Sequence, residues 1–165
     1  MRHPGRTLSV LVTGTVVAAG ALVACETATR IPPGAQQVHV VGTGTEVRLD
    51  PSTVRAGDVY LVLEGSALFF QHSGAPGEAG PMSEDDVARL AQNGDLRFNT
   101  MELSPGYAGN DYKFTLAAGK YAFLPVANEE RPGADAEARS DLCFRDPAAC
   151  AALPPLPVAV LEVLP

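Results

Sequence analysis

The sequence predicts an all-β protein with an antiparallel β-sandwich fold, and three observations point to that class. Short segments rich in β-branched and aromatic residues recur from Val38 to Leu164. Several of these segments alternate apolar with polar residues, as a strand with one buried face does. Glycine- and proline-containing turns separate most of the segments. Two antiparallel sheets that cover each other's apolar faces satisfy all three observations.

Four predicted strands precede residue 74. They are Val38–Val41, Val47–Asp50, Val59–Leu63 and Leu68–His72. Apolar and charged residues alternate in the second of them, which indicates one buried face and one solvated face. The third is a continuous apolar run, typical of a buried strand. The tripeptide Asp50-Pro51-Ser52 predicts the turn that follows the second strand.

One short helix is predicted between the strands. Ser83 is a good N-cap residue, and Asp86 stands three positions later, as in a capping box. Val87 and Leu90 share one helical face, which we expect to pack on the sheet. Gly94 ends the pattern as a C-terminal cap.

Strand patterns then resume towards the C-terminus. The predicted segments are Phe98–Leu103, Tyr112–Leu116, Tyr121–Phe123 and Val158–Leu164. Between the last two lies a long, polar, proline-rich stretch, Asn128–Pro157, which we predict to be a loop. Since loops on a sandwich often carry recognition, this stretch is the expected variable surface.

The N-terminus resembles an export signal of the lipoprotein type. Arg2 and Arg6 precede an uncharged, apolar run from Leu8 to Ala24. The run ends in Leu22-Val23-Ala24-Cys25, which is similar to the lipobox of bacterial lipoproteins. The resemblance implies a signal peptide over residues 1–24, a diacylglycerol on Cys25 and a place on the extracytoplasmic side of a bacterial cell envelope. A retained anchor helix is the alternative, because the run is close to the ~20 residues that span a bilayer.

The predicted organisation is therefore a signal peptide at 1–24, a tether at 25–37 and one domain at 38–165. Pro32, Pro33 and Gly34 lie in the tether, which has no periodic apolar pattern. Removing the signal peptide takes away two of the 12 basic residues and none of the 19 acids, so the net charge falls from −7 to −9. Such a surface repels nucleic acid and anionic lipid. The expected partners are the membrane, through the lipid, and an unidentified protein or small molecule.

The other two cysteines form an even pair. Cys143 and Cys150 would face an oxidising compartment after export, which favours a disulfide between them. Zinc ligation is the weaker alternative, because the spacing is not that of a zinc knuckle and no histidine is nearby.

Two strings resemble the cupredoxin family. Val47–Val59 has a strand, a proline-containing turn, Ala-Gly-Asp and the start of a valine-rich strand, and Leu116–Phe123 contains a later Gly-Lys-Tyr signature. The resemblance implies a Greek-key β-sandwich. In that family a histidine in the sheet, and then a cysteine, a histidine and often a methionine after the Gly-Lys-Tyr strand, bind copper. Here no histidine or methionine follows Val126. We therefore expect no type 1 copper site.

A different copper site is the alternative. His72, Met82 and Met101 form a soft-ligand set that suits Cu(I). Their ordinary interpretation is a strand-end histidine and two methionines that fill gaps in packing. His39 lies between two valines and is expected to face solvent.

The sequence thus predicts a non-enzymatic, membrane-anchored binding or accessory module without a cofactor, with a copper carrier as the alternative. No constellation of catalytic residues indicates an enzyme. The pair His72-Ser73 does not provide one, because neighbouring strand residues point to opposite faces.

Overall fold

Two β-sheets pack face to face, and the predicted β-sandwich is confirmed. The structure is a computed structural model that describes residues 26–28, 31–73, 79–94, 98–105, 111–126 and 136–165. The predicted signal peptide and Cys25 lie outside the described residues. No helix within the described ranges is both long and apolar enough to cross a bilayer.

The strands in chain order are β1 (Glu26–Ala28), β2 (Gln36–Gly42), β3 (Val47–Asp50), β4 (Thr53–Arg55), β5 (Gly57–Glu64), β6 (Ala67–Ser73), β7 (Ala79–Gly80), β8 (Asn99–Leu103), β9 (Asp111–Leu116), β10 (Gly119–Pro125) and β11 (Ala159–Leu164). The helices are α1 (Glu84–Asn93), α2 (Ala136–Arg145) and α3 (Pro147–Ala151). Sheet A has the order β1-β9-β5-β2-β3. Sheet B has the order β4-β11-β10-β6-β7, and β8 also pairs with β6.

Most neighbouring strands are antiparallel, as predicted, but each sheet contains one parallel pair. These pairs are β2 with β5 and β4 with β11. The first arises because the chain leaves sheet A after the β2–β3 hairpin, adds β4 to sheet B and then returns as β5 in the direction of β2. A pattern of apolar residues does not distinguish the two directions.

The inner core lies between the sheets and is centred on Phe69. Its ring lies 5.0 Å from that of Phe114, 5.9 Å from that of Tyr121 and 5.0 Å from that of Phe123, measured between centroids. Valines and leucines from both sheets complete the cluster. The alternation predicted from the sequence produces this core, because every second residue of each strand points inward.

A second apolar cluster covers the outer face of sheet B. It joins Phe70 and Leu124 of the sheet with Leu90 of α1, Ala136 of α2 and Leu156. The prediction that Asn128–Pro157 is a loop is wrong over α2 and α3, because these helices help to shield the apolar outer face. The sequence does carry a start signal for α3, since Asp146 is its N-cap and Pro147 occupies its first turn.

The predicted tether also needs correction at its two described ends. Gln36 and Gln37 belong to β2, and Glu26–Ala28 pairs with β9. The Gln36 side chain explains part of this difference. Its side-chain Nε2 donates to the carbonyl of Arg55 at 3.0 Å, and its Oε1 accepts from the backbone amide of Arg55 at 2.7 Å. The side chain therefore pairs with the edge of β4 in the way that the backbone of a neighbouring strand would.

Helix α1 has the predicted caps. Ser83 and Asp86 form the capping box, and Gly94 is the C-cap with φ 61°. A Cβ on Gly94 would lie 2.3 Å from the carbonyl oxygen of Ala136. Gly94 therefore allows both the left-handed turn and the close approach of α2 to the end of α1.

The helices α1, α2 and α3 form a layer on the outer face of sheet B, which we call the helical layer. Arg139 of α2 connects separate segments of this layer. It is buried, and its guanidinium donates to the carbonyls of Gln92 (3.2 Å) and Pro154 (2.8 Å). The carbonyl of Gln92 belongs to the last turn of α1, where a cation also complements the helix dipole. The predicted disulfide between Cys143 and Cys150 is confirmed and joins α2 to α3.

Gly94→Ala should destabilise the protein by at least about 1–2 kcal/mol, the cost of a left-handed backbone for a residue with a side chain. The clash with Ala136 adds to this cost. Urea unfolding measures the change. Gly80→Ala is the matched control, because a Cβ there meets nothing within 4 Å. Equal stability of the two variants would contradict the close approach of α1 and α2.

Replacing both Cys143 and Cys150 by alanine should lower the free energy of unfolding by about 2–3 kcal/mol, because the bridge closes a short loop of sequence separation 7. The measurement is urea unfolding with and without reductant, in a Cys25→Ala background. Reductant should destabilise the parent and leave the double variant unchanged. Two free thiols in the oxidised parent, detected by alkylation and intact mass, would refute the bridge.

Candidate functional site

A trough runs along the outer face of sheet B between α1 and the edge strand β4, and we call it the α1–β4 trough. It encloses about 310 Å³. Seven residues line it: Ser52, Thr53, Glu84, Val87, Lys120, Val160 and Glu162. It forms because the helical layer packs over β6 and β10 and leaves the outer residues of β11 and β4 open. The volume is at the lower end of the range for small-molecule sites.

The lining of this trough includes three charged side chains and two valines. The Lys120 ammonium forms an ion pair with the Glu84 carboxylate at the start of α1. Glu162 is the cross-strand neighbour of Lys120. The hydrogen bond with Lys120 lowers the pKa of Glu84, and the same bond raises the pKa of Lys120. With two carboxylates and one ammonium, the trough carries a net negative charge at neutral pH.

Beside the trough, the first turn of α1 holds a polar cluster around Asp86. The Asp86 carboxylate accepts from the backbone amide of Ser83 at 3.1 Å and also pairs with Arg89. The Nδ1 atom of His72 lies 3.6 Å from Oδ2 of Asp86, the same oxygen that accepts from Ser83, whereas Arg89 contacts Oδ1. Burial raises the pKa of Asp86, but the hydrogen bonds from Ser83 and Arg89 outweigh burial and leave that pKa below its usual value. Asp86 is therefore ionised at neutral pH and fixes the start of α1 beside sheet B.

Asp86→Asn should destabilise the protein at neutral pH and much less in acid. A carboxyl whose pKa is lower in the folded state stabilises above its unfolded value of about 3.9 and loses that contribution as pH falls through the folded value. The stability difference between parent and variant should therefore shrink below about pH 4. Asp85→Asn, an exposed change in the same turn, is the control for the helix dipole. A difference that is constant with pH would contradict this role for Asp86.

A second, larger groove of about 470 Å³ lies around the end of the sandwich next to β4. Gln36, Thr53, Arg55 and Leu164 are among its lining residues. Part of its polar wall is already occupied, because Gln36 bonds both backbone groups of Arg55. We therefore place the candidate site in the α1–β4 trough, whose lining brings together charged groups from three elements, α1, β10 and β11.

The structure does not bring the alternative copper ligands together. His72 is exposed on the outer side of sheet B, and Met82 is buried in the outer apolar cluster. Met101 packs against the inner core, on the other face of the same sheet. A single ion cannot contact side chains on both faces, so this set does not form a site.

The remaining ligand candidates are also separated. His39 is exposed on β2 of sheet A, as expected, whereas His72 belongs to sheet B. Cys143 and Cys150 bond to each other. In the part of the chain that the structure describes, no three or more His, Cys, Asp or Glu side chains are grouped to hold a metal. Cys25, the predicted lipidation site, lies outside the described residues.

Sequence reasoning missed the trough residues as a group. The sequence patterns singled out neither Glu84 nor Glu162, and Lys120 entered only through the Gly-Lys-Tyr signature. Their proximity to Glu162 depends on the register that places Lys120 opposite Glu162. No local pattern in the sequence carries that register.

Comparison with known proteins identifies no family for the chain. No protein-family profile and no curated protein matches it. Among solved structures it is similar to auracyanin B, a cupredoxin, at 16% sequence identity and a TM-score of 0.37, covering 88% of this chain and 96% of that one. At that TM-score we draw nothing from the likeness, and the fold assignment rests on the strand pairing described above.

Proposed function

We propose that this protein is a lipid-anchored, extracytoplasmic binding module without enzymatic activity. The observation that carries the proposal is the pairing of Cys143 with Cys150. The chain has three cysteines, so this bond leaves Cys25 as the one available for acylation. A disulfide also fits an exported protein, because thiols stay reduced in most cytosolic proteins. The lipobox-like string before Cys25 supports the same compartment.

The α1–β4 trough is the binding surface in this proposal. Val87 and Val160 offer an apolar contact, and Ser52 and Thr53 offer hydroxyl groups. The carboxylates of Glu84 and Glu162 exceed the single Lys120 ammonium, and the whole chain is acidic. The trough therefore favours a ligand that joins a cation to a short apolar segment, whether a small amphiphile or a basic side chain of a protein partner.

A copper carrier is not the function we propose. Its ligand set divides between the two faces of sheet B, with Met101 in the inner core and Met82 in the outer cluster. The binding-module proposal needs no metal.

Cys25→Ala should move the protein out of the membrane fraction or halt its processing, because diacylglycerol attachment needs the Cys25 sulfur. Fractionation of expressing cells and intact mass of the product measure both effects. The double variant Cys143→Ala/Cys150→Ala is the control, since it removes the other two cysteines together, leaves no unpaired thiol and does not touch the anchor. A Cys25→Ala protein that is processed normally and stays in the membrane would overturn the anchoring proposal.

Hexylammonium and hexanoate test the trough, because they share an apolar chain and carry opposite charges. Hexylammonium should shift the methyl NMR signals of Val87 and Val160 in a saturable way, and hexanoate should not. Glu162→Gln should weaken the hexylammonium effect. Glu64→Gln, an exposed change on sheet A, should leave it intact. Equal responses to the two probes would reject the charge preference.

A further inference from the structure

The strand β1 occupies part of the segment that composition assigns to a flexible tether. Its three residues, Glu26–Ala28, pair with β9 so that Glu26 lies opposite Lys113 and Ala28 opposite Asp111. Glu26 follows Cys25 directly in the chain, and consecutive Cα atoms are about 3.8 Å apart. The attachment point of a lipid on Cys25 is therefore covalently next to a strand of the sandwich.

The register of β1 against β9 also defines the end of the sandwich at which the chain enters β1. Because β1 and β9 are antiparallel, the chain enters β1 on the side where β9 continues from Lys113 to Leu116. The same end contains Gly57, which pairs with Leu116, and the short turn at Ala117 and Ala118 that leads into β10. We call it the β9–β10 end. The opposite end contains the β2–β3 turn, where Thr45 is exposed.

We infer that the lipid bilayer meets the β9–β10 end of the sandwich and that β1 holds the domain in this orientation. The inference rests on the proposed acylation of Cys25. A free tether over residues 25–37 would have a root-mean-square reach of about 20 Å and would let the domain turn in any direction. A paired strand beginning at Glu26 removes most of that freedom.

Charge at the β9–β10 end is compatible with a lipid surface. The ammonium of Lys113 lies 2.9 Å from the Asp58 carboxylate, and Thr115 donates to the same carboxylate at 2.7 Å. The hydrogen bonds from Lys113 and Thr115 lower the pKa of Asp58. The charge of Asp58 is thus balanced by Lys113 within the domain, so this carboxylate adds little repulsion towards anionic head groups.

One consequence is the position of the trough. Lys120 follows Ala118 by two residues and belongs to the first part of β10, so the α1–β4 trough lies in the half of the sandwich nearest the bilayer. A ligand that moves along the lipid surface would then reach the trough without leaving the head-group region.

Depth-dependent quenching of the acylated, full-length mature protein on phosphatidylcholine vesicles tests the orientation. Two single-site variants, Ala118→Cys and Thr45→Cys, carry a fluorophore at opposite ends, and lipids with a nitroxide head group act as quenchers. The two sites are separated by more than about 20 Å, the length of the six-residue strand β9 alone, because the β2–β3 turn lies beyond the far end of β9. The label at 118 should lose most of its emission, and the label at 45 should lose little.

A flexible Gly/Ser spacer of about twelve residues between Cys25 and Glu26 is the matched control, because it moves the lipid away and leaves β1 intact. The spacer should make the two labels nearly equal. Equal quenching without the spacer, or stronger quenching at 45, would overturn the orientation and leave the anchoring in place. If processed protein fails to bind the vesicles, the proposed anchoring itself is wrong, and the orientation falls with it.

Discussion

The requirement that shapes this protein is the burial of both faces of sheet B. Phe69 and Phe70 are consecutive residues of β6, so they point in opposite directions, one into the inner core and one into the outer cluster. A sandwich of two sheets covers only the first of them. The chain covers the second with helices inserted into connections between strands, and the features that distinguish this sandwich follow from that second layer.

The helical layer is held by directional contacts as well as by apolar ones. Arg139 bonds carbonyls of two separate segments, the disulfide fixes α3 to α2, and the backbone amide of Leu156 donates to the carbonyl of Ala91 at 2.6 Å. The carbonyls of Ala91 and Gln92 belong to the last turn of α1, where a helix leaves carbonyls without partners. The layer stops short of β4, and the trough is the space that remains.

Local patterns predicted much of the fold. Alternation located the segments of the inner core, and the Ser83, Asp86 and Gly94 signals located α1 almost to the residue. The helices α2 and α3 were missed because proline and charged residues dominate Asn128–Pro157, and their stability comes from contacts with a sheet face distant in sequence. The trough could not be predicted, because Lys120 and Glu162 become neighbours only through strand register. The disulfide could be predicted, since a count of cysteines and the expected export constrain it without any geometry.

Under the proposed lipid anchoring, the side-chain amide of Gln36 has a further consequence. Confinement to a surface brings copies of a chain together side by side, and a bare sheet edge in each copy would invite strand pairing between them. By occupying both backbone groups of Arg55, Gln36 removes one place where such pairing could begin. A glutamine that looks like an unremarkable polar residue in the sequence thus protects against self-assembly where crowding would favour it most.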